Sequence, residues 1–155
     1  MESWQFLHGQ FVHFPIALLL TYVLFEIIGI LTKREFFSKA AHLILLLGVI
    51  GLICAVLTGN QAEQLARKMH KSKTIFSAIK THSNYANITL WYFAALLVIR
   101  TILVLKKKFF GYLKYSFIIL SLAGLFLVFE TGKFGGKLVY DYGVGTNSSK
   151  IEITK

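Results

Sequence analysis

The stretch PIALLLTYVLFEIIGILT, residues 15–32, contains a single charged side chain, Glu26. A helix needs about 20 predominantly apolar residues to cross the hydrocarbon core of a bilayer, and this stretch has nearly that length. Pro15 suits the first helical turn, because the N–H that proline lacks would have no intrahelical partner there. The stretch is therefore predicted to be a transmembrane helix.

Three more segments of the same kind follow, and together they predict the fold class. The chain is 55% hydrophobic and 15% charged, with a mean hydropathy of +0.63. The apolar segments lack the strict alternation of a membrane β-barrel, so helices are expected. The prediction is an all-α membrane protein, an antiparallel bundle of four transmembrane helices. The single domain covers residues 1–146, with spans at residues 14–32, 40–60, 81–105 and 110–130.

The net charge of +10 comes from 17 Lys and Arg against 7 Asp and Glu. These basic residues lie between apolar segments, where they contact lipid headgroups, and none has the context of a nucleic-acid-binding motif. Basic residues concentrated in short links orient a membrane protein with those links in the cytoplasm. The first and third links carry seven: Lys33, Arg34, Lys39, Lys106, Lys107, Lys108 and Lys114. Both termini are therefore predicted outside, in a bacterial inner membrane.

The second link is predicted to contain a short helix at the membrane surface. Leu65 and Met69 lie four residues apart, and Ala62 and Ala66 fall on the same stripe. Apolar residues at this spacing are typical of an amphipathic helix that lies in the lipid interface.

The C-terminal segment TGKFGGKLVYDYGVGTNSS, residues 131–149, is rich in glycine. It is predicted to form an ordered cap outside the membrane, with a short β-like run at residues 137–142. A flexible tail is expected over residues 147–155.

Histidines are the residues that suggest chemistry. Imidazole is a common ligand of haem iron, zinc and copper. With the predicted topology, four of the five histidines fall on the outer side: His8, His13, His70 and His82. His13 precedes the first span and His82 opens the third, and in an antiparallel bundle these positions lie at the same end. Two imidazoles from different helices can hold one haem b inside a bundle.

Two other interpretations of the histidines stay open. Histidine is also common at membrane boundaries, where it sits as an amphipathic interfacial residue. A zinc or copper site could instead use three or four of the outer histidines, with His8 and His70 added to His13 and His82. The single cysteine, Cys54, is interpreted as a small side chain that faces lipid or the protein core.

Two charged residues lie inside predicted spans. Glu26 is six residues from the end of the first span and Arg100 five from the end of the third. At ~1.5 Å per residue these depths are roughly 9 Å and roughly 7.5 Å from the same side. Because charges within a bilayer are costly and face the bundle interior, an ion pair between them is predicted. The functional alternatives are proton conduction by Glu26 with His42, or a haem propionate held by Arg100.

Glycines on the second span form a groove. Gly48, Gly51 and Gly59 either allow close helix packing or leave room for a flat ring such as a porphyrin.

Motifs at both ends of the chain are similar to those of a known family. LHGQFVHFPIALLL at residues 7–20, an acid at Glu26, His82 at the start of the third span and the tail at residues 131–145 resemble domain-of-unknown-function family 2231. Thr58-Gly59 at the end of the second span fits as well.

The resemblance covers nearly the whole chain and suggests electron transfer in the membrane. Members of the family occur beside, or fused to, c-type cytochrome domains. The resemblance implies His13 and His82 as ligands, with His8 next. Many relatives have a histidine in the tail where this chain has Tyr142, so a ligand role for the tail is not carried over.

The leading functional hypothesis is a b-type cytochrome-like subunit of a respiratory chain. A bis-histidine haem near the outer face would pass electrons between membrane quinone and an extracytoplasmic cytochrome. One alternative is a haem-free scaffold subunit of a larger membrane redox complex, and another is a histidine-based metal-binding or transport protein. In each case an accessory role is favoured over a stand-alone enzyme.

Overall fold

A computed structural model describes residues 8–69 and 72–145, and these residues form four long helices without a strand. The helices are α1 (His13–Thr32), α2 (Glu35–Met69), α3 (Lys73–Leu105) and α4 (Tyr112–Tyr140). A short helical segment at residues 8–11 leads into α1. All four helices are long and apolar enough to cross a membrane, which confirms the predicted all-α membrane fold.

Short links make the helices antiparallel neighbours. Only Lys33 and Arg34 separate α1 from α2, and Lys33 adopts the left-handed conformation common at helix C-termini (φ 56°). Residues 106–111 join α3 to α4, with positive φ at Lys107 (53°) and Gly111 (58°). The four helices pack in the order α1–α2–α3–α4 around a ring that closes between α1 and α4.

The core lies along the axis of this ring. Leu19, Tyr22, Leu45 and Phe93 are fully buried there. Large apolar side chains also point outwards, and Trp91 is 72% exposed. An apolar exterior of this kind is costly in water and suits a lipid environment.

The predicted separate surface helix is wrong. Residues 62–69 are helical, but they continue α2 without a break, so that α2 is 35 residues long. At ~1.5 Å per residue α2 spans about 50 Å, more than a hydrocarbon core of ~30 Å. Its end is secured by packing, because Ala66 is buried against Ile79 and Leu138.

The predicted β-like run at residues 137–142 is also wrong, because α4 continues through the glycines to Tyr140. Tertiary packing overrides the low helix propensity of glycine here, since Leu138 is buried against α2 and α3. After α4 the chain turns back, with the N–H of Val144 donating to the carbonyl of Leu138 (2.9 Å). The segment is an ordered cap, as expected, but a helical one. The predicted flexible tail and His70 lie outside the described residues.

Candidate functional site at the histidine end

A cavity of about 630 Å³ opens at the end of the bundle where α1 begins, and all four helices line it. We call this end the histidine end. The lining is mostly apolar or small, with Leu19 at its base and Gly132, Gly135 and Gly136 along α4. A cavity of this size and character is typical of a small-molecule or cofactor site.

Two imidazole rings from different helices lie side by side in the wall of this cavity. The ring centroids of His8, just before α1, and His82, in the third turn of α3, are 6.4 Å apart with an interplanar angle of 73°. Both rings are half-buried. Antiparallel packing explains the pairing, because the start of α1 and the start of α3 lie at the same end of the ring.

Hydrogen bonds define which nitrogen of each ring carries the proton. The Nδ1 of His82 lies 3.1 Å from the carbonyl oxygen of Thr131, which only accepts, so Nδ1–H is the donor. The Nδ1 of His8 lies 3.3 Å from the Thr58 hydroxyl oxygen, whose own hydrogen goes to the carbonyl of Cys54 (2.9 Å). When a ring with this arrangement is neutral, its proton is on Nδ1 and its Nε2 has a lone pair.

Glycines on two helices make room for these rings. A Cβ at Gly59 would lie 3.0 Å from Cε1 of His8, and a Cβ at Gly135 would lie 3.0 Å from Cε1 of His82. Gly48 and Gly51 have a different role, since their positions abut Leu19 and Pro15 of α1. The predicted glycine groove therefore combines close helix packing at its middle with space for an imidazole at Gly59.

The other predicted ligands are placed apart from this pair. His13 lines the same cavity, but its side chain is exposed, and its Nδ1–H donates to the carbonyl of Gly9 (2.7 Å). The ring beside His82 is that of His8. His42 lies at the opposite end of the bundle. No group of three or more His, Cys, Asp or Glu side chains that could hold a metal ion occurs among residues 8–69 and 72–145.

The second polar cluster lies at that opposite end, which we call the arginine end. Arg100, on α3, is 1% exposed and donates from Nη2 to Oε2 of Glu26 (2.7 Å) and from Nε to Oε1 (3.3 Å). The structure thus brings the two charged residues of the spans together as a two-point ion pair. A bidentate arrangement of this kind is the strongest form of carboxylate recognition by arginine.

Further groups surround the Arg100 guanidinium. Nη1 donates to Nδ1 of His42 (2.9 Å), and Nη2 also donates to the carbonyl of Ser38 (3.1 Å). The ring of Phe109 covers the guanidinium, with its centroid 4.6 Å from Cζ. Because Nδ1 of His42 accepts, its proton is on Nε2, which lies 3.5 Å from the Thr101 hydroxyl. Protein groups of the chain itself therefore occupy most of the hydrogen-bonding capacity of Arg100.

Arg100 does not reach the histidine end. It follows His82 by 18 positions on the same helix (100 − 82), a rise of about 27 Å at ~1.5 Å per residue. A haem held by His82 would therefore have its propionates far from Arg100, so the two predicted contacts, His82 to the iron and Arg100 to a propionate, do not fit one haem.

A comparison with known protein families matches residues 5–148 to the model of the family described as predicted membrane protein (DUF2231). The chain belongs to the DUF2231 family. The match confirms the resemblance of its end motifs. No curated protein and no solved structure matches the chain.

In this DUF2231 protein, sequence reasoning missed the groups that hold the two rings. The histidine pattern gives no role to Thr131 or Gly135, and Thr58 and Gly59 stand out only as a family motif. On α2 the sequence contains one signal, the dipeptide Thr58-Gly59. The threonine hydroxyl can bond to an imidazole, and the adjacent glycine leaves space for the ring. On α4, the backbone carbonyl of Thr131 bonds to His82, and Gly135, four residues later, makes room for its ring. Every residue has a backbone carbonyl, so the sequence contains no signal for this contact.

Proposed function

We propose that this protein is a haem-binding electron-transfer subunit of the membrane, in which His8 and His82 would hold one b-type haem. The observation that carries this proposal is the pair of imidazole rings, 6.4 Å apart, in the wall of a 630 Å³ largely apolar cavity, each with Nδ1 within hydrogen-bond distance of a neighbouring helix. When bound, a haem supplies a one-electron redox couple whose potential depends on the axial ligands and on burial.

The donor set favours a haem over a bare metal ion. Structural zinc sites are almost always held by four protein ligands. Two imidazoles would be sufficient to hold a haem, because the porphyrin itself supplies the other ligands of the iron. The largely apolar walls of the cavity suit the porphyrin face and exclude water from it.

Other side chains orient the two ligands. Thr131 and Thr58 hold Nδ1–H of His82 and His8, which keeps Nε2 of each ring free and fixes the ring plane. Hydrogen bonds of this outer kind raise the basicity of a histidine ligand. Gly59 and Gly135 keep the adjacent space open for the rings.

The position of the cavity suggests the partners. The arginine end carries the two short basic links, so the positive-inside rule puts it in the cytoplasm and the histidine end outside. We therefore propose a bacterial inner-membrane protein with both termini outside. Its reductant would be a membrane quinone, which reaches the cavity from lipid, and its oxidant a c-type cytochrome at the outer face.

The test is a reduced-minus-oxidised absorption spectrum of the protein purified in detergent after expression with ample haem precursor. A sharp α-band of six-coordinate b haem, with one haem per chain by pyridine haemochrome, is expected. His8→Ala and His82→Ala should each abolish it, and the matched variant His42→Ala, at the other end, should keep it. His13→Ala distinguishes the two candidate pairs. If His13 and His82 hold the haem, as predicted from the sequence, the α-band is lost, and if His8 and His82 hold it, the α-band is retained.

A featureless spectrum of the wild-type protein would contradict the proposal. Two further measurements on the same sample assign the alternatives. Metal analysis that finds stoichiometric copper or zinc would point to an ion between the histidines, and co-purification of other redox subunits without any chromophore would point to a scaffold role.

A further inference from the structure

The inference concerns residues 33–39 and 106–114 at the arginine end, which we call the two basic links. Two acids lie at this end, and both are paired: Glu26 with Arg100 (2.7 Å) and Glu35 with Lys39 (2.9 Å). Among residues 8–69 and 72–145, no acidic side chain pairs with the other six cations of the links. These are Lys33, Arg34, Lys106, Lys107, Lys108 and Lys114. Positive charge that the chain does not neutralise attracts an anionic partner.

Contacts of Arg100 bring the two basic links together. Its Nη2 donates to the carbonyl of Ser38 in one link (3.1 Å), and its Cζ lies 4.6 Å from the ring centroid of Phe109 in the other. Nζ of Lys114 lies 5.8 Å from the centroid of the same ring. A lysine adjoins each of Ser38 and Phe109 in the chain. Cations from both links therefore lie around one part of the bundle.

The links are too short to extend far from the membrane. The helix ends leave only residues 33–34 between α1 and α2, and residues 106–111 between α3 and α4. The longer connection is also held against the bundle, because the ring of Phe109 packs edge-on against Phe117 with centroids 5.2 Å apart. The cations of both links are thus kept close to the surface of the bilayer.

Aromatic side chains indicate the depth of these cations in the membrane. Phe36, Phe110 and Tyr112 are exposed beside the basic residues. Aromatic rings are enriched where hydrocarbon meets headgroups, and Lys and Arg side chains reach from that level into the headgroup region. These surroundings favour a lipid phosphate over an acidic soluble protein as the anionic partner.

We propose that the two basic links form one binding site for an anionic phospholipid, whose headgroup contacts both links at once. The phosphate supplies the negative charge that the chain lacks at this end. The acyl chains lie against the exposed apolar side chains of the helices. Because one link joins α1 to α2 and the other joins α3 to α4, the bound lipid connects the two halves of the bundle. This inference does not rest on haem binding.

Native mass spectrometry of the delipidated protein, with equal amounts of phosphatidylglycerol and phosphatidylcholine added in detergent, tests the site. We expect the wild-type protein to retain one phosphatidylglycerol per chain in preference to phosphatidylcholine. Each Lys or Arg near an anionic membrane surface increases affinity about fivefold, so combining Lys106→Gln, Lys107→Gln and Lys108→Gln should weaken retention by roughly 100-fold. These side chains are exposed, so the fold does not depend on them.

A matched control removes three exposed lysines at the histidine end. Lys68→Gln, Lys73→Gln and Lys80→Gln change the net charge by the same amount, and this variant should retain phosphatidylglycerol as the wild type does. Equal retention of both lipids by the wild type would overturn the proposal, and so would equal loss of phosphatidylglycerol in the two triple variants. Detergent micelles have no sidedness, so an effect of the substitutions on membrane insertion does not influence this measurement.

The number of bound lipids shows whether the links act as one site. Lys33→Gln combined with Arg34→Gln removes two exposed cations from the other link. If one headgroup contacts both links, this variant also loses the single phosphatidylglycerol. If the wild type instead retains two phosphatidylglycerol molecules and each link variant keeps one, the links bind lipid independently, and the single site is wrong.

Discussion

The histidine end and the arginine end contain similar chemical groups in opposite arrangements. At the arginine end, Arg100 bonds to Glu26, His42 and Ser38, and a ring covers it. At the histidine end, Nδ1 of His8 and Nδ1 of His82 each bond to a neighbouring helix, and both rings lie beside a large cavity. The polar groups of the arginine end bond mainly to one another, which stabilises the bundle. The two imidazoles of the histidine end each have a protein partner on one side and the cavity on the other, which is the arrangement of a binding site.

Among the substitutions that test this contrast, Arg100→Leu is expected to lower the stability of the bundle most. It leaves Glu26 buried without its partner, and breaking a buried ion pair typically costs about 3–5 kcal/mol. The matched control is Arg67→Leu, since Arg67 pairs with Glu63 on the surface of α2, where its side chain is 39% exposed. Unfolding by SDS titration in mixed micelles measures both variants.

The double variant Glu26→Leu with Arg100→Leu provides a second comparison. Replacing a whole buried pair by apolar side chains is often neutral or stabilising, so it should recover most of the lost stability. If Arg100→Leu were no more destabilising than Arg67→Leu, the arginine end would not hold the bundle together.

The ion pair could be predicted from the sequence, and the histidine pair could only partly be. The rise of a helix is constant, so residue counts place Glu26 and Arg100 at about the same depth. An unpaired charge in a bilayer is costly, so each of these two residues is the expected partner of the other. The helical backbone is continuous from His8 into α1, so His8 and His13, five residues apart, lie on different faces of the same helix. Which of the two faces meets His82 depends on how α1 is rotated in the ring of helices, and the sequence pattern does not determine that rotation.

The wrong predictions about the connections have one physical cause. Local patterns suggested a separate surface helix in the second link and a β-like run at residues 137–142. In the structure, Ala66, Ile79 and Leu138 from three helices bury one another, and this contact extends α2 and α4 past the ends of the predicted spans. Packing between segments distant in sequence decided both outcomes, and single-segment patterns do not contain it.

Gly135→Ala tests the histidine end, and its expected effect is smaller than that of Arg100→Leu. Its Cβ would lie 3.0 Å from Cε1 of His82 and push the ring, whereas Gly132→Ala, one turn earlier on α4, meets nothing within 4 Å. Alanine is the better helix former by up to ~1 kcal/mol, so Gly132→Ala should raise the unfolding midpoint. Gly135→Ala should raise the unfolding midpoint by less. It should also weaken haem binding about 10-fold, because a metal-binding histidine that loses its correct orientation binds more weakly.

Haem titration of apoprotein, followed in the Soret band, measures this loss of affinity for both glycine variants. Equal haem affinity in Gly135→Ala and Gly132→Ala would mean that the His82 ring is not a ligand or moves without consequence. Because both substitutions are Gly→Ala and lie one turn apart on α4, their difference isolates the contact with the imidazole.

The smallest effect is expected for Lys39→Gln, which removes an ion pair of the same charge type as Glu26–Arg100. Nζ of Lys39 lies 2.9 Å from Oε2 of Glu35, about as close as the buried pair, yet the two side chains are 79% and 83% exposed. Water solvates both charges before and after the substitution, so no measurable change in the SDS unfolding curve is expected. A destabilisation approaching that of Arg100→Leu would mean that proximity of charge, and not burial, determines the stability of the arginine end.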